Sequence, residues 1–380
     1  LAAGAHSVAA DAAVQLIVVV GYQLARHADG RRWAQHAEAA LRSLEPAPGL
    51  RSATLQFNLA MVEGAAGEYA EAERLDREAL AIRTRELGPD HLEVARSISN
   101  LGLSQISVGE YGEARAQLER ALPIVTAFLG REHPDTGKQY ANLAAVLYRL
   151  GEYDESLALG ERALQIRVQA LGPEHHDVAA SLTNLANSHQ VIGRPDRARA
   201  LYERALAIYE RRFGKTHPDV AMALMNLAGV LEEFSEHRRA RTLYERALQI
   251  REAVLGPDHP DTAWARLALA RVQGSLGDRA AARALYGQGI RELEDALGPD
   301  HVELAYPLVE LARLDESDDA AARELGERAL RLLAADAGAP ELLAEVRLVL
   351  GRALWRLPVD AGRDRARASE LLALARAALV

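Results

Sequence analysis

HLEVARSISNLGLSQISVGEYGEARAQLERALPIVTAFLGRE, residues His91 to Glu132, is one copy of a unit that returns every 42 residues. Its cue Leu-Gly-x-x-His recurs at Gly88, Gly130, Gly172, Gly214, Gly256 and Gly298, with Phe213 standing once for the Leu. The same spacing governs Asn58, Asn100, Asn142, Asn184 and Asn226, and also Gly67, Gly109, Gly151, Gly193 and Gly277, with Ser235 in place of one glycine. A unit that cannot bury its own apolar face must stack on its neighbours. The period therefore predicts a solenoid with an extended surface rather than a globule around a catalytic pocket.

Within the unit, Val94, Ile98, Leu101 and Gly102 fall on one helical stripe, and Leu182, Leu185, Ala186 and Leu224, Leu227, Ala228 repeat it. This is helix A. Its small residue (Ala60, Gly102, Ala144, Ala186, Ala228, Ala270, Ala312) admits a close second helix. A Gly-Glu-Tyr turn at Gly109 to Tyr111 ends helix A, and helix B follows, with Ala198, Leu201, Ala205 and Ile208 on one face of its fourth copy. Leu-Gly ends helix B, where glycine is expected to take the left-handed C′ conformation, and Pro89, Pro173, Pro257 and Pro299 forbid continuation. The His-Pro-Asp triplets at His133, His217 and His259 place Pro in a tolerant first turn and Asp near the positive end of the helix dipole.

The bulk numbers agree with an all-α chain and narrow its function. Aromatics make up only 5% of 380 residues, which suits closely packed Ala- and Leu-rich helices. A net charge of −9 argues against a general nucleic-acid or anionic-membrane binder, because either needs a basic excess. With no cysteine there is no disulfide, thiol nucleophile or zinc-thiolate site, a usage compatible with a reducing, cytoplasmic setting. The most apolar stretch, Val14 to Val20, is too short to span a bilayer and reads as a buried helix. The chain begins without an initiator Met, so a piece of a longer protein is expected.

Asn100, Leu101, Gly109, Tyr111, Ala114, Arg120, Ala121 and Leu122 together resemble the tetratricopeptide repeat. Ordinary members repeat about every 34 residues. The longer unit here adds roughly two helical turns, and the Leu-Gly-Pro-Asp-His-Pro joint is similar to the kinesin light chain subtype. The resemblance implies a right-handed α-solenoid, a superhelix of helix-turn-helix repeats with a concave groove that binds peptides. Residues 1–48 read as a degenerate leading repeat, with a helix to His27, a break at Gly30 and a helix from Trp33. Six regular repeats occupy 49–300, a shortened seventh 301–338, and a capping helical pair 339–380, broken at Pro358 to Gly362. The tail Leu354 to Ala377 also resembles the C-terminal region of large bacterial serine/threonine kinases. That implies an alternative role, the regulatory or sensor region of a signalling enzyme whose catalytic domain lies outside this chain.

In this architecture the stripe next to the core stripe lines the groove, which offers Asn58, then Arg96 and Asn100, then Lys138, Asn142 and Arg149, then Asn184 and Asn187, then Asn226, Trp264, Arg271 and Tyr306. The asparagine ladder has donors and acceptors for the main chain of an extended peptide, or for tying its own helix to the next one. Arg96, Lys138 and Arg149 make repeats 2 and 3 locally basic, resembling the Lys/Asn pairing with which some family members grip a carboxylate. The third step of that grip lacks cations, since Met222 and Asn226 stand there, so the expected partner is a protein or peptide with an acidic or polar segment. Trp264 and Tyr306 replace small residues and read either as anchors for partner side chains or as packing between repeats. Exposed solenoid ends also admit self-association.

No His-Glu-x-x-His, Gly-x-x-x-x-Gly-Lys, Gly-x-Ser-x-Gly or Gly-x-Gly-x-x-Gly pattern is present, so no catalytic residue, cofactor or metal is assigned and the chain is read as no enzyme. The equivalent His91, His133, His175, His217, His259 and His301 sit on helical layers about 8–10 Å apart, too far to share an ion whose ligands lie about 2 Å away. Helix capping accounts for them better, and His175 with His176, the only adjacent pair, is too few for a site. The sequence points to a non-catalytic interaction scaffold.

Overall fold

The computed structural model describes residues 2–24, 26–44, 49–314, 318–334, 339–358 and 362–378. The chain forms two compact units, Leu1–Leu201 and Tyr202–Val380. In the first, α1 (Ala2–Leu16) runs on as a π-helix, Ile17–Gln23, and pairs with α2 (His27–Arg42). The hairpins α3 (Gly49–Ala65) with α4 (Tyr69–Leu87), α5 (Leu92–Val108) with α6 (Tyr111–Leu129), and α7 (Pro134–Arg149) with α8 (Tyr153–Leu171) follow, then α9 (His176–Val191). The division between the units falls inside α10 (Pro195–Phe213).

The second unit continues with α11 (Pro218–Glu233) against α12 (His237–Leu255) and α13 (Pro260–Ser275) against α14 (Arg279–Leu297). After a short 3₁₀ turn at Val302–Leu304 come α15 (Ala305–Leu314) against α16 (Asp319–Leu333), and α17 (Pro340–Arg356) against α18 (Arg365–Ala378). Every described element is helical. Consecutive hairpins stack within each unit, which is the all-α repeat array that the period implies. The end of the shortened repeat near Gly338 and most of the break after Pro358 lie outside the described residues.

The joint between repeats is where local chemistry sets the fold. At His91, His133, His175, His217, His259 and His301 the imidazole Nδ1 accepts the backbone N–H two residues on, at 3.1 to 3.3 Å. Histidine thus does the work of the usual Ser or Asp N-cap, satisfying one of the orphan donors of a helix start. Pro134, Pro218 and Pro260 occupy the first helical turn, where a missing N–H costs nothing. The glycine before the joint differs from the expected αL cap: Gly88 has φ 85° and ψ 159°. That combination is open essentially to glycine alone, and it sends the chain out extended instead of curling it back.

The turn inside each repeat does use αL: Gly109 has φ 86° and ψ 6°. Ser235 holds the same kind of turn at φ 57°, the sole non-glycine with positive φ among the described residues. The small-residue position behaves as its size requires, with Ala60, Ala144, Ala186, Ala228, Ala270 and Ala312 all at 5% exposure or less. Each hairpin then buries its stripe on the next, as in the cluster of Ala114, Leu118, Leu143, Val146 and Leu147.

The leading hairpin departs from the sequence reading. Gly30 is not a break; it lies in the first turn of α2, and a Cβ there would sit 2.6 Å from Gly21 Cα. Two glycines let the π-helix and α2 touch backbone to backbone. The π-helix bonds, such as Leu24 N–H to the Val19 carbonyl, bring Gly21 to that contact.

Two measurements check the joint and the turn. Ser235→Gly relieves a strained φ and should stabilise the chain by about 0.5–1 kcal/mol, read as a higher urea midpoint. His133→Ala removes a cap and should cost about 1 kcal/mol, whereas His133→Asn should retain most of it.

Candidate binding groove

In the first unit the A-helix stripe brings Arg96 and Asn100 of α5 together with Lys138 and Asn142 of α7, around a cavity of about 120 Å³. Arg96 is engaged already: its guanidinium donates to Glu93 Oε1 at 2.7 Å and to Asp135 Oδ2 at 2.9 Å. The bond to Asp135 holds it still more firmly protonated. Lys138 is exposed and makes no ion pair among the described residues. Beside it, Asn142 Nδ2 is buried without a hydrogen-bond partner. An orphan donor of this kind costs about 1–3 kcal/mol, which an incoming acceptor oxygen would recover.

The neighbouring asparagines are engaged with the array itself. Asn58 is 7% exposed and donates to the Val14 carbonyl at 2.9 Å, tying α3 to α1. Asn100 Nδ2 donates to Asp76 Oδ1 at 2.6 Å, and Ser104 Oγ donates to Asp76 Oδ2 at 2.6 Å. Asp76, on α4, is completely buried. Burial pushes its carboxyl up to about 6, against the pull of those two donors and of Arg83.

A second cavity, of about 250 Å³, is lined by Tyr148, Arg149, Gly160, Asn184, Leu185 and Asn187 among others. Asn184 is exposed and Asn187 half-buried. The guanidinium of Arg149 lies 5.5 Å from the Tyr111 ring centroid, within cation–π range.

In the second unit the candidate residues are differently placed. Asn226 is half-buried. Trp264 is half-buried and packs against the core cluster around Leu267 and Leu304. Tyr306 is 37% exposed. The Arg271 guanidinium donates to Glu232 Oε1 at 2.9 Å and to the Tyr244 hydroxyl at 3.3 Å, while that hydroxyl donates to the same carboxylate oxygen at 2.6 Å. Desolvation and the nearby carboxylate push the Tyr244 phenol above its ordinary range. This arginine is held by its own chain.

Sequence reasoning missed the buried charges. Asp76 and Arg83 could have been seen as polar intruders at helix B positions whose equivalents, Leu118 and Val125, are apolar. Arg83 donates to Ser97 Oγ at 2.8 Å, and Arg167, 84 residues on, donates to Ser181 Oγ at 2.8 Å. Both tie helix B to the next helix A. Asp177 was likewise overlooked beside His175 and His176; the three place ligand-type atoms within 4.8 Å of one another. His175 Nδ1 is already the helix cap, so that nitrogen is committed.

Stacked helical hairpins with a polar A-helix face define an α-helical repeat array. The chain belongs to the tetratricopeptide repeat family, whose model matches residues 51–127, 135–211, 177–253 and 219–291. Among solved structures it is similar to the apo form of the quorum sensor NprR from B. thuringiensis, at 14% identity over 98% of both chains with a TM-score of 0.68. A Rap protein complexed with Competence and Sporulation Factor matches at 12% identity over 99% of this chain and 98% of that one, TM-score 0.62. Kinesin light chain-like repeats from Podospora anserina match at 26% identity over 53% of this chain and 94% of that one, TM-score 0.44. No curated protein matches. No described helix is long and apolar enough to cross a membrane.

Asp76 sets a pH dependence. The fold holds its proton more tightly than the unfolded chain does. Its contribution is therefore fully present below about pH 4 and lost as the pH rises through about 6. A rise from 3.8 to about 6 corresponds to roughly 3 kcal/mol. Asp76→Asn should flatten that part of the stability profile between pH 4 and 7, measured by urea unfolding against the parent chain.

Proposed function

We propose that this array is a docking scaffold that takes an extended peptide segment with acidic or polar side chains on the A-helix face of its first unit, at repeats 2 and 3. The observation that carries the reading is the unpartnered Asn142 Nδ2 beside the unpaired Lys138, in a cavity that Asn100 also lines. An ammonium and an amide donor side by side suit a carboxylate or a peptide carbonyl, and charge-assisted bonds are the stronger kind. Arg96 adds less than its charge suggests, because two carboxylates already hold it.

Membership of the tetratricopeptide family supports a protein-interaction role. The likeness to NprR and to Rap is one of fold and extends over nearly the whole chain. No step of chemistry is assigned, and binding itself is the output.

A fluorescein-labelled, end-blocked glutamate-rich peptide titrated into the full chain tests the site. Lys138→Ala and Asn142→Leu should each weaken binding by about tenfold, and added salt should weaken the parent chain more than the Lys138→Ala variant. If Asn100, Lys138 and Asn142 are all replaced by Ala and the peptide still binds as to the parent, the assignment is wrong.

A further inference from the structure

Asp76 is an acid at a position of the repeat where the next five copies hold Leu118, Gly160, Tyr202, Tyr244 and Tyr286. It is completely buried, and both its carboxylate oxygens are taken from α5: Oδ1 by Asn100 Nδ2 and Oδ2 by Ser104 Oγ, each at 2.6 Å. One period on, Leu118 stands in its place, and Asn142 Nδ2 has no partner. Asn100 and Asn142 nevertheless line one cavity, with Lys138. The array thus presents the same amide twice at the docking face, held in one copy and open in the next.

The acid that holds Asn100 is poised to change its charge. Desolvation pushes its carboxyl up to about 6, against Ser104, Asn100 and Arg83, and Glu73 adds to the rise. Arg83 and Glu73 lie on its own helix. Of the helices packed on α4, α5 presents the uncharged Asn100 and Ser104, and its Glu93 and Arg96 are paired with each other. The charged residues of α3 are engaged elsewhere, Arg51 with Asp11 and Glu63 with Arg31. A hydrogen bond to an ionised group is roughly twice as strong as one between neutral groups, so a proton gained by Asp76 loosens its hold on Asn100.

We propose that Asp76 regulates the docking site: its ionised carboxylate withholds Asn100 from a ligand and its neutral form releases the amide, so that an acidic peptide segment docks more tightly as the pH falls. This rests on the site at Lys138 and Asn142 and adds a third donor to it. A ligand that prefers the neutral acid binds best below the titration of Asp76 and loses that share as the pH rises through about 6. Glutamate side chains of the ligand, ordinarily near about 4.3, stay ionised through that range.

A rhodamine-labelled, end-blocked glutamate-rich peptide is titrated with the full chain at about pH 7.5 and about pH 5.5, at one ionic strength, and followed by fluorescence anisotropy. The parent should bind about fivefold more tightly at the lower pH. Asp76→Asn, neutral at both, should bind equally at the two, about as tightly as the parent does at the lower. Asp76→Leu copies the next repeat and should lose the dependence in the same way, should the first variant unfold. Asn100→Ala should match the parent at the higher pH, where the amide is withheld, and gain nothing at the lower. His91 and His133 cap α5 and α7, and a dependence arising there would survive in all three variants. Equal binding by the parent at both pH values, a dependence that persists in the Asp76 variants or in Asn100→Ala, or binding lost in Asn100→Ala at the higher pH overturns the inference and leaves the docking site standing. No binding to the parent at either pH overturns both.

Discussion

The repeat joint is the constraint on which the array depends. Each A helix must begin at a fixed angle to the B helix before it, and that angle is set by two adjacent devices. A glycine near φ 85° and ψ 159° throws the chain outward, and a histidine three residues later accepts the first free N–H of the next helix through Nδ1. Neither works alone. The extended glycine without the cap leaves orphan donors at the helix start, and the cap without the glycine has no chain path that reaches it. The six histidines share this role, each through the lone pair of Nδ1.

What could be read from the chain follows from that division of labour. The joints and turns were legible because glycine, proline and histidine there answer to backbone requirements a few residues wide, and the period repeats the evidence. Even so, the conformation at Gly88 was misjudged, since a glycine after a helix reads as αL unless the direction of the exit is known. The Gly21 to Gly30 contact was invisible for a related reason: it depends on a π-helix that shifts the register of the α1 extension, and no local pattern announces that shift. Asp76, Arg83 and Arg167 lay hidden behind composition. Charged residues on a helix read as solvent-facing by default, and only the apolar Leu118 and Val125 one period on mark Asp76 and Arg83 as buried.

In the asparagine ladder, ties within the array use the same amides that the proposed docking site would need. Asn58 ties α3 to α1 and Asn100 is drawn to Asp76, so the amides that a period makes identical in sequence are unequal in availability. Asn142 differs because the position facing it from helix B holds Leu118 where Asn100 finds Asp76, and an apolar side chain offers no acceptor. Availability is decided one helix away from the residue itself. That is why a count of ladder positions overstates the binding surface, and why the candidate site was legible as a face but not as a point.

The same reasoning separates the two units. In the second, helix B supplies Tyr244 to the A-helix face, and a carboxylate, a phenol and a guanidinium satisfy one another there. In the first, the corresponding helix B positions include Asp76 and Leu118, of which the one engages and the other ignores the amide in front of it. A stack whose repeats were perfectly alike would present one kind of surface throughout. What the front face leaves unpaired is therefore set where the period is broken, on the helix behind it, where Asp76 takes up one amide and Leu118 leaves the next without a partner.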